Sequence, residues 1–327
     1  MNIPNPKKNW LNEAIYIASR PWFLILALFF VFMPAAKMSE ALESGAEFLR
    51  IDTDARAVSM GSAYTAAADG VNAISYNPAG LASLRGVEFG FSHTNWLLDS
   101  KHDFIGIGLP MGLGTGSGLR GAGLAIGLGV TRLTSGSMET RGADRRASGS
   151  FSAYDQSVSI ALARSMGVSR LGMAVKYVEG AIAGEKASAV AVDLGMTSGL
   201  GKLPVSAGLS VQNLGTPMKY ISQKDPLPLT FAAGLLFNIV PGFNMALDVK
   251  RLIYDKQTDV SVGTEYSFIP GFALRTGYMM NNAVIDTRNR GFSVGAGVNL
   301  LGTQVDYSVT PFGVLGDAQK ITLKKKF

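Results

Sequence analysis

The sequence predicts an all-β protein: a 14-stranded antiparallel transmembrane β-barrel with a small N-terminal plug segment in its lumen. Three observations across the 327 residues predict it. Apolar residues recur at every second position through most of the chain, the signature of strands with one greasy face. The connections between these segments alternate between tight turns and longer polar loops. The last segment is amphipathic and stops on Phe327.

Composition narrows the class further. The chain holds 39 Gly, no Cys and 47% apolar residues, with only 17% charged, where globular proteins average roughly 25% charged. Glycine without a triplet period and so much apolar content exclude a collagen-like or disordered polymer. The lack of Cys excludes a disulfide scaffold and any thiolate metal site. The net charge is +6, but the bases are scattered rather than striped, which argues against a nucleic-acid partner. The densest run, Lys324-Lys325-Lys326, reads as a solvated charged tip.

Residues 1–41 read as a signal peptide. Lys7, Lys8 and Arg20 precede an apolar run over 21–33, followed by Pro34-Ala35-Ala36. Basic region, apolar core and small residues come in the order of a secretory signal, and the core is shorter than the ~20 residues a spanning helix needs. Cleavage fits after Ala36 or after Ala41. No later apolar segment reaches 18 residues. A membrane protein of this sequence must therefore cross with strands, which places it in the bacterial outer membrane after export through the inner one.

Residues 42–85 lack the alternation that marks the rest of the mature chain. Residues 55–60 and 64–69 are Ala-rich and suit short helices or turns, and Asn77-Pro78-Ala79-Gly80-Leu81 punctuates the chain. Fourteen strands enclose a lumen too wide for wall side chains to fill, so this segment is expected to fold inside it as a plug. A periplasmic tail is the alternative.

Residues 86–327 supply the barrel. Alternating segments begin near Val87, Phe104, Ala122, Val158, Leu171, Val190, Val205, Leu229, Phe243, Val260, Phe272, Phe292, Val305 and Ile321. Short turns at 164–167, 239–242 and 301–302 follow even-numbered strands; longer polar loops at 134–150, 213–228 and 281–290 follow odd-numbered ones. Lipid offers no hydrogen bonds, so the sheet must close, with its apolar face outward and small or polar residues inward. The inward parity carries Glu88, Lys176, Asp193, Asp248, Lys250, Glu265, Arg275, Asp306 and Lys320. Their mixed signs suit pairing with plug residues such as Asp52, Asp54 or Arg56 better than a charge-selective pore. Ile321, Leu323 and Phe327 share the outward parity of the closing strand and resemble the assembly signal read by the barrel-assembly machinery.

Other motifs carry little chemistry. Gly116-Ser117-Gly118-Leu119-Arg120-Gly121 has dinucleotide-loop spacing, yet a strand follows where a helix is required, so a flexible turn is the reading. His93 and His102 flank Trp96 and Asp99 and read as surface or girdle residues, since Ser92 and His93 are neighbours on a strand and point to opposite faces. Trp96 and Tyr278 suit an interfacial aromatic belt. No catalytic residue, cofactor or metal site is expected.

Ala55-Arg56-Ala57-Val58-Ser59-Met60-Gly61-Ser62-Ala63-Tyr64 and Asn77-Pro78-Ala79-Gly80-Leu81 resemble the opening of the PorV/PorQ group, which is related to the FadL long-chain fatty-acid transporters. Val211-Gln212-Asn213-Leu214-Gly215, Gly263-Thr264-Glu265-Tyr266 and the stretch at 306–316 extend the resemblance to the C-terminus. It implies a plugged 14-strand outer-membrane barrel. It also implies an envelope partner or type IX-like secretion accessory, with secretion-system proteins or secreted cargo as partners beside membrane lipid. The alternative is a FadL-like transporter of hydrophobic small molecules.

Overall fold

The computed structural model describes residues 44–111, 123–136, 138–141, 146–201, 203–281 and 291–327. The expected signal peptide, the glycine motif at 116–121 and most of the loop at 281–290 lie outside these residues.

Fourteen strands close into one antiparallel barrel. In chain order they are β1 (Glu88–Asn95), β2 (Lys101–Met111), β3 (Leu124–Thr134), β6 (Ala153–Met166), β7 (Ser169–Ile182), β8 (Glu185–Gly199) and β9 (Val205–Gly215). The second half is β12 (Thr230–Val240), β13 (Phe243–Leu252), β14 (Gln257–Ile269), β15 (Phe272–Asn281), β16 (Phe292–Leu300), β17 (Thr303–Pro311) and β18 (Asp317–Lys326). Two hairpins, β4 (Met138–Arg141) with β5 (Ala147–Phe151) and β10 (Met218–Tyr220) with β11 (Gln223–Asp225), stand inside the long loops and not in the wall. Closure is made by β1 against β18, from Glu88 opposite Lys326 to Asn95 opposite Gln319. Every wall strand thus has two partners, and no backbone edge meets lipid.

Period-two patterning sets the two faces. Along β6, Ser157, Ser159, Ala161 and Ala163 are buried while Val158, Ile160 and Leu162 are exposed. The same alternation on the closing strand exposes Ile321 and Leu323 and buries Thr322 and Lys324. Large apolar side chains therefore form the outer belt, and small or polar ones face the lumen. Among the described residues no helix is long and apolar enough to cross a membrane.

Turn lengths follow the expected alternation in the main, with two departures. One end carries tight turns at 167–168, 241–242, 270–271 and 301–302, and the opposite end carries the hairpin-bearing loops. The connection between β2 and β3 is long although it lies at the short-turn end. Conversely, β7 and β8 meet at the loop end through Ala183 (φ 51°) and Gly184 (φ 92°) alone, two left-handed residues whose twist matches tight strand pairing.

Residues 44–85 fill the lumen. Asp54 caps the helix Ala55–Ser59 by accepting from the Arg56 amide at 3.0 Å. Asn77 caps the 3-10 turn Pro78–Ser83 in the same way, with Pro at the first turn where its missing N–H costs nothing. These short pieces could not hold alone. They are fixed by the wall: the Ala55 amide donates to Thr322 Oγ1 (2.9 Å) and the Gly61 amide to Ser293 Oγ (3.2 Å).

Candidate functional site: two cavities either side of a plug

Wall glycines let the plug seat. Gly195 of β8 lies against Asn77 Oδ1, Gly172 of β7 against the Pro78–Ala79 peptide, and Gly208 of β9 against Thr65, so that a methyl at any of them would collide with the plug. Asn77, Pro78, Ala79, Gly80 and Leu81 are all buried. Asn77 Nδ2 faces the carbonyls of Thr65 (2.9 Å), Met196 (3.1 Å) and Leu209 (3.2 Å), joining the plug to two wall strands. The punctuating motif is therefore a pin between plug and wall.

The inward charges expected from parity take distinct places. Glu88 accepts from the Val71 amide at 2.8 Å, and Asp248 accepts from the amides of Tyr64 (2.9 Å) and Thr65 (2.7 Å), so both hold plug backbone. Glu265 bridges Arg56 of the plug (2.7 Å) and Arg275 of the wall (2.6 Å), and Arg275 continues to Asp306 (2.7 Å). Desolvation works against the Arg56 charge, but Glu265 and Asp69 (2.9 Å) more than offset it and hold its pKa well above the ordinary value. Asp193 pairs with Lys176 (2.6 Å) within the wall, and Asn213 bonds to both. Lys320 donates to the Asp52 carbonyl. Lys250 lines a cavity and makes no hydrogen bond or ion pair among the described residues.

Three expectations need correction. Lys324 is not part of a solvated tip: it is 3% exposed and pairs with Asp54 at 3.1 Å, because it shares the inward parity of Thr322. His102 is not a surface residue, since its alternation with Asp103 turns it inward to 1% exposure opposite Thr94. Trp96 does not join a lipid-facing belt; it lines a lumen cavity and meets Phe312 edge to face, centroids 5.3 Å apart. Ile321 and Leu323 face outward on β18, and exposed Phe327 follows its end, with its amide donating to the Val87 carbonyl at 2.9 Å.

A cavity lies on each side of the plug. The one at the loop end measures about 570 Å³. Ile51, Val58 and Tyr76 form its plug side, with Trp96, Leu133, Leu252 and Phe312 among its walls and the ammonium groups of Lys176, Lys250 and Lys320 along it. Above it Phe48 packs with Met218 of β10 and Leu227 against Val178 and Ala189, a small apolar roof that alternation alone does not reveal. The cavity at the short-turn end measures about 580 Å³ and is polar, bounded by Arg56, Glu265, Arg275, Asp306, Asn299 and Gln304.

Relay chemistry finds no geometry here. Ser92 Oγ meets Thr322 Oγ1 (2.8 Å) on the inner face, while His93 Nδ1 meets Asp103 (2.6 Å) on the outer one. Among the described residues no group of three His, Asp or Glu is placed to hold a metal ion.

No protein-family model matches the chain, and no curated protein matches its sequence. Its fold is shared with solved channels. The CymD monoaromatic hydrocarbon channel aligns at TM-score 0.60 and 12% identity, covering 84% of this chain and 97% of that one. The P. putida toluene transporter TodX aligns at 0.59 and 12%, covering 84% and 99%. A Pseudomonas aeruginosa FadL homologue aligns at 0.53 and 8%, covering 83% and 97%. At such identities the likeness is one of fold.

Proposed function

We propose that the protein is an outer-membrane channel for hydrophobic small molecules, which enter the loop-end cavity and leave through the short-turn end when the plug shifts. The observation that carries this reading is the loop-end cavity of about 570 Å³ above the plug, whose lining sets Trp96, Leu133, Leu252 and Phe312 beside polar wall residues such as Thr131, Lys176 and Lys250. An open pore would serve hydrophilic solutes; a plugged lumen with a chamber of this mixed lining suits molecules with a large apolar body. The hydrocarbon and toluene channels that share the fold support it, and they favour it over the secretion role implied by the PorV/PorQ resemblance. The experiment is uptake of a labelled monoaromatic hydrocarbon and of a long-chain fatty acid by a deletion strain against the complemented strain. Equal uptake of both compounds in the two strains would remove the reading.

The secretion-accessory reading retains one supporting observation: the hairpins β4–β5 and β10–β11 stand at the loop end as surface for a protein partner. Crosslinking in intact envelopes tests it, with recovery of a specific exported protein as the positive result. In either role, residues 1–41 act as the export signal, cut after Ala36 or Ala41, and N-terminal sequencing of the mature protein decides between the two sites. The exposed Ile321, Leu323 and Phe327 serve recognition by the assembly machinery.

A further inference from the structure

The outer face carries charge at both edges of its apolar belt, and the two edges differ. At the loop end a cross-strand ladder runs His93–Asp103–Arg132–Gln156–Glu179, each residue in register with the next. It is satisfied within the protein: His93 meets Asp103 (2.6 Å), Arg132 lies over the Tyr154 ring (4.7 Å), and the Tyr154 hydroxyl donates to Glu179 (2.8 Å). At the short-turn end the outward charges are Arg164 and Lys325. Arg164 is exposed between Leu124 and Leu171 on the flanking strands and has no hydrogen bond or ion pair among the described residues. Lys325 lies between Phe89 and Thr303 and reaches only the Leu301 carbonyl (3.0 Å). Arg85, exposed just before β1, adds a third cation to this rim. Among the described residues no acidic side chain faces outward in this half.

Depth supports the contrast. Gln156 and Arg164 are eight residues apart on β6, about 26 Å along a strand at roughly 3.3 Å per residue. A tilt of about 40° reduces that to roughly 20 Å along the bilayer normal, about 5 Å short of spanning the ~25 Å apolar band of such barrels. The long Arg164 side chain covers that remaining distance by snorkelling, which sets its guanidinium among the headgroups. A guanidinium without a protein partner at that level matches phosphate bidentately.

We propose that the short-turn edge of the barrel, through Arg164 and Lys325, binds the phosphates of anionic phospholipids in the adjoining leaflet. At the loop-end edge the ladder charges already have partners inside the protein, and Lys101 and Arg251 are the further outward cations there. The inference is independent of what the lumen transports.

The test uses the full chain in nanodiscs of phosphatidylcholine with a minor share of phosphatidylglycerol, reading the retained lipids by native mass spectrometry. Wild-type protein is expected to enrich phosphatidylglycerol. R164Q and K325Q should each lower that enrichment by about fivefold, the factor expected for one interfacial basic side chain. R132Q, whose charge sits in the satisfied ladder, should leave it unchanged. A gel shift between unboiled and boiled samples shows that each variant has folded. No enrichment by the wild type, wild-type enrichment in the double variant, or an equal loss in R132Q would each overturn the proposal.

Discussion

Replacing Glu265 by Gln removes one charge from a buried junction and almost nothing else. The carboxylate lies between Arg56 of the plug at 2.7 Å and Arg275 of the wall at 2.6 Å. Gln keeps the volume and one carbonyl acceptor for Arg56 Nε and Arg275 Nε, but turns its N–H groups toward the donors Arg56 Nη2 (2.9 Å) and Asn244 Nδ2 (3.1 Å). Breaking a buried pair this way costs about 3–5 kcal/mol when nothing else compensates. Here Arg275 keeps Asp306 at 2.7 Å and Arg56 keeps Asp69 at 2.9 Å. The loss should therefore fall at about 2–3 kcal/mol, which makes release of the plug about 30- to 150-fold more frequent. The wall ladder is untouched, so the heat-dependent gel shift should persist. Hydrogen exchange of amides 55–61 in detergent reads the plug directly. Unchanged exchange at those amides in a folded E265Q barrel would show that this junction does not hold the plug.

The same contacts give three further outcomes. Gly195→Ala places a methyl against Asn77 Oδ1, whereas Gly199 has open space around it; protease should cut residues 44–85 faster in G195A and at the wild-type rate in G199A. Lys324→Gln strands Asp54, a loss of about 3 kcal/mol that D54N in the same chain should partly restore, read by chemical denaturation with a double-mutant cycle. Phe327→Ser should lower the yield of folded barrel in envelopes, measured as the heat-shifted band, without changing the stability of the molecules that do assemble.

Strand number and facing are legible in the sequence because a half-lipid, half-lumen wall forces alternation at every residue. Fourteen apolar-alternating segments pass directly into fourteen wall strands, and parity alone places Glu88, Asp248 and Glu265 inside. The same rule reaches Lys324 and His102 once it is applied to them individually; judging a basic run and a lone His by residue type and not by position puts them wrongly at the surface. The apolar roof of Phe48, Met218 and Leu227 lies beyond such reasoning. It joins residues about 170 positions apart across a loop, and no local period records that meeting. The connection lengths are intermediate: loops lengthen where nothing constrains them, but Ala183-Gly184 shows that a tight turn can occur at either end.

The plug is not equally thick everywhere, and on the proposed channel function that decides where a passage would open. Arg56 borders the short-turn cavity, while Val58, Gly61 and Ser62 border the loop-end cavity. Only the helix Ala55–Ser59 separates them there, and five residues do not hold a helix without help. That help is contact with wall side chains: the Ala55 amide to Thr322, Arg56 to Glu265, the Gly61 amide to Ser293, and Ser293 Oγ donating to the Val58 carbonyl at 2.6 Å. The Asn77 region, by contrast, is pinned to wall backbone on two strands. Opening should therefore pivot on the Asn77 pin and displace the Ala55–Ser59 turn. S293A removes both bonds of that side chain to the turn, the one accepted from the Gly61 amide and the one donated to the Val58 carbonyl, and leaves the Asn77 pin intact. Hydrocarbon uptake should rise in a folded S293A barrel. Unchanged uptake would move the passage to another part of the plug.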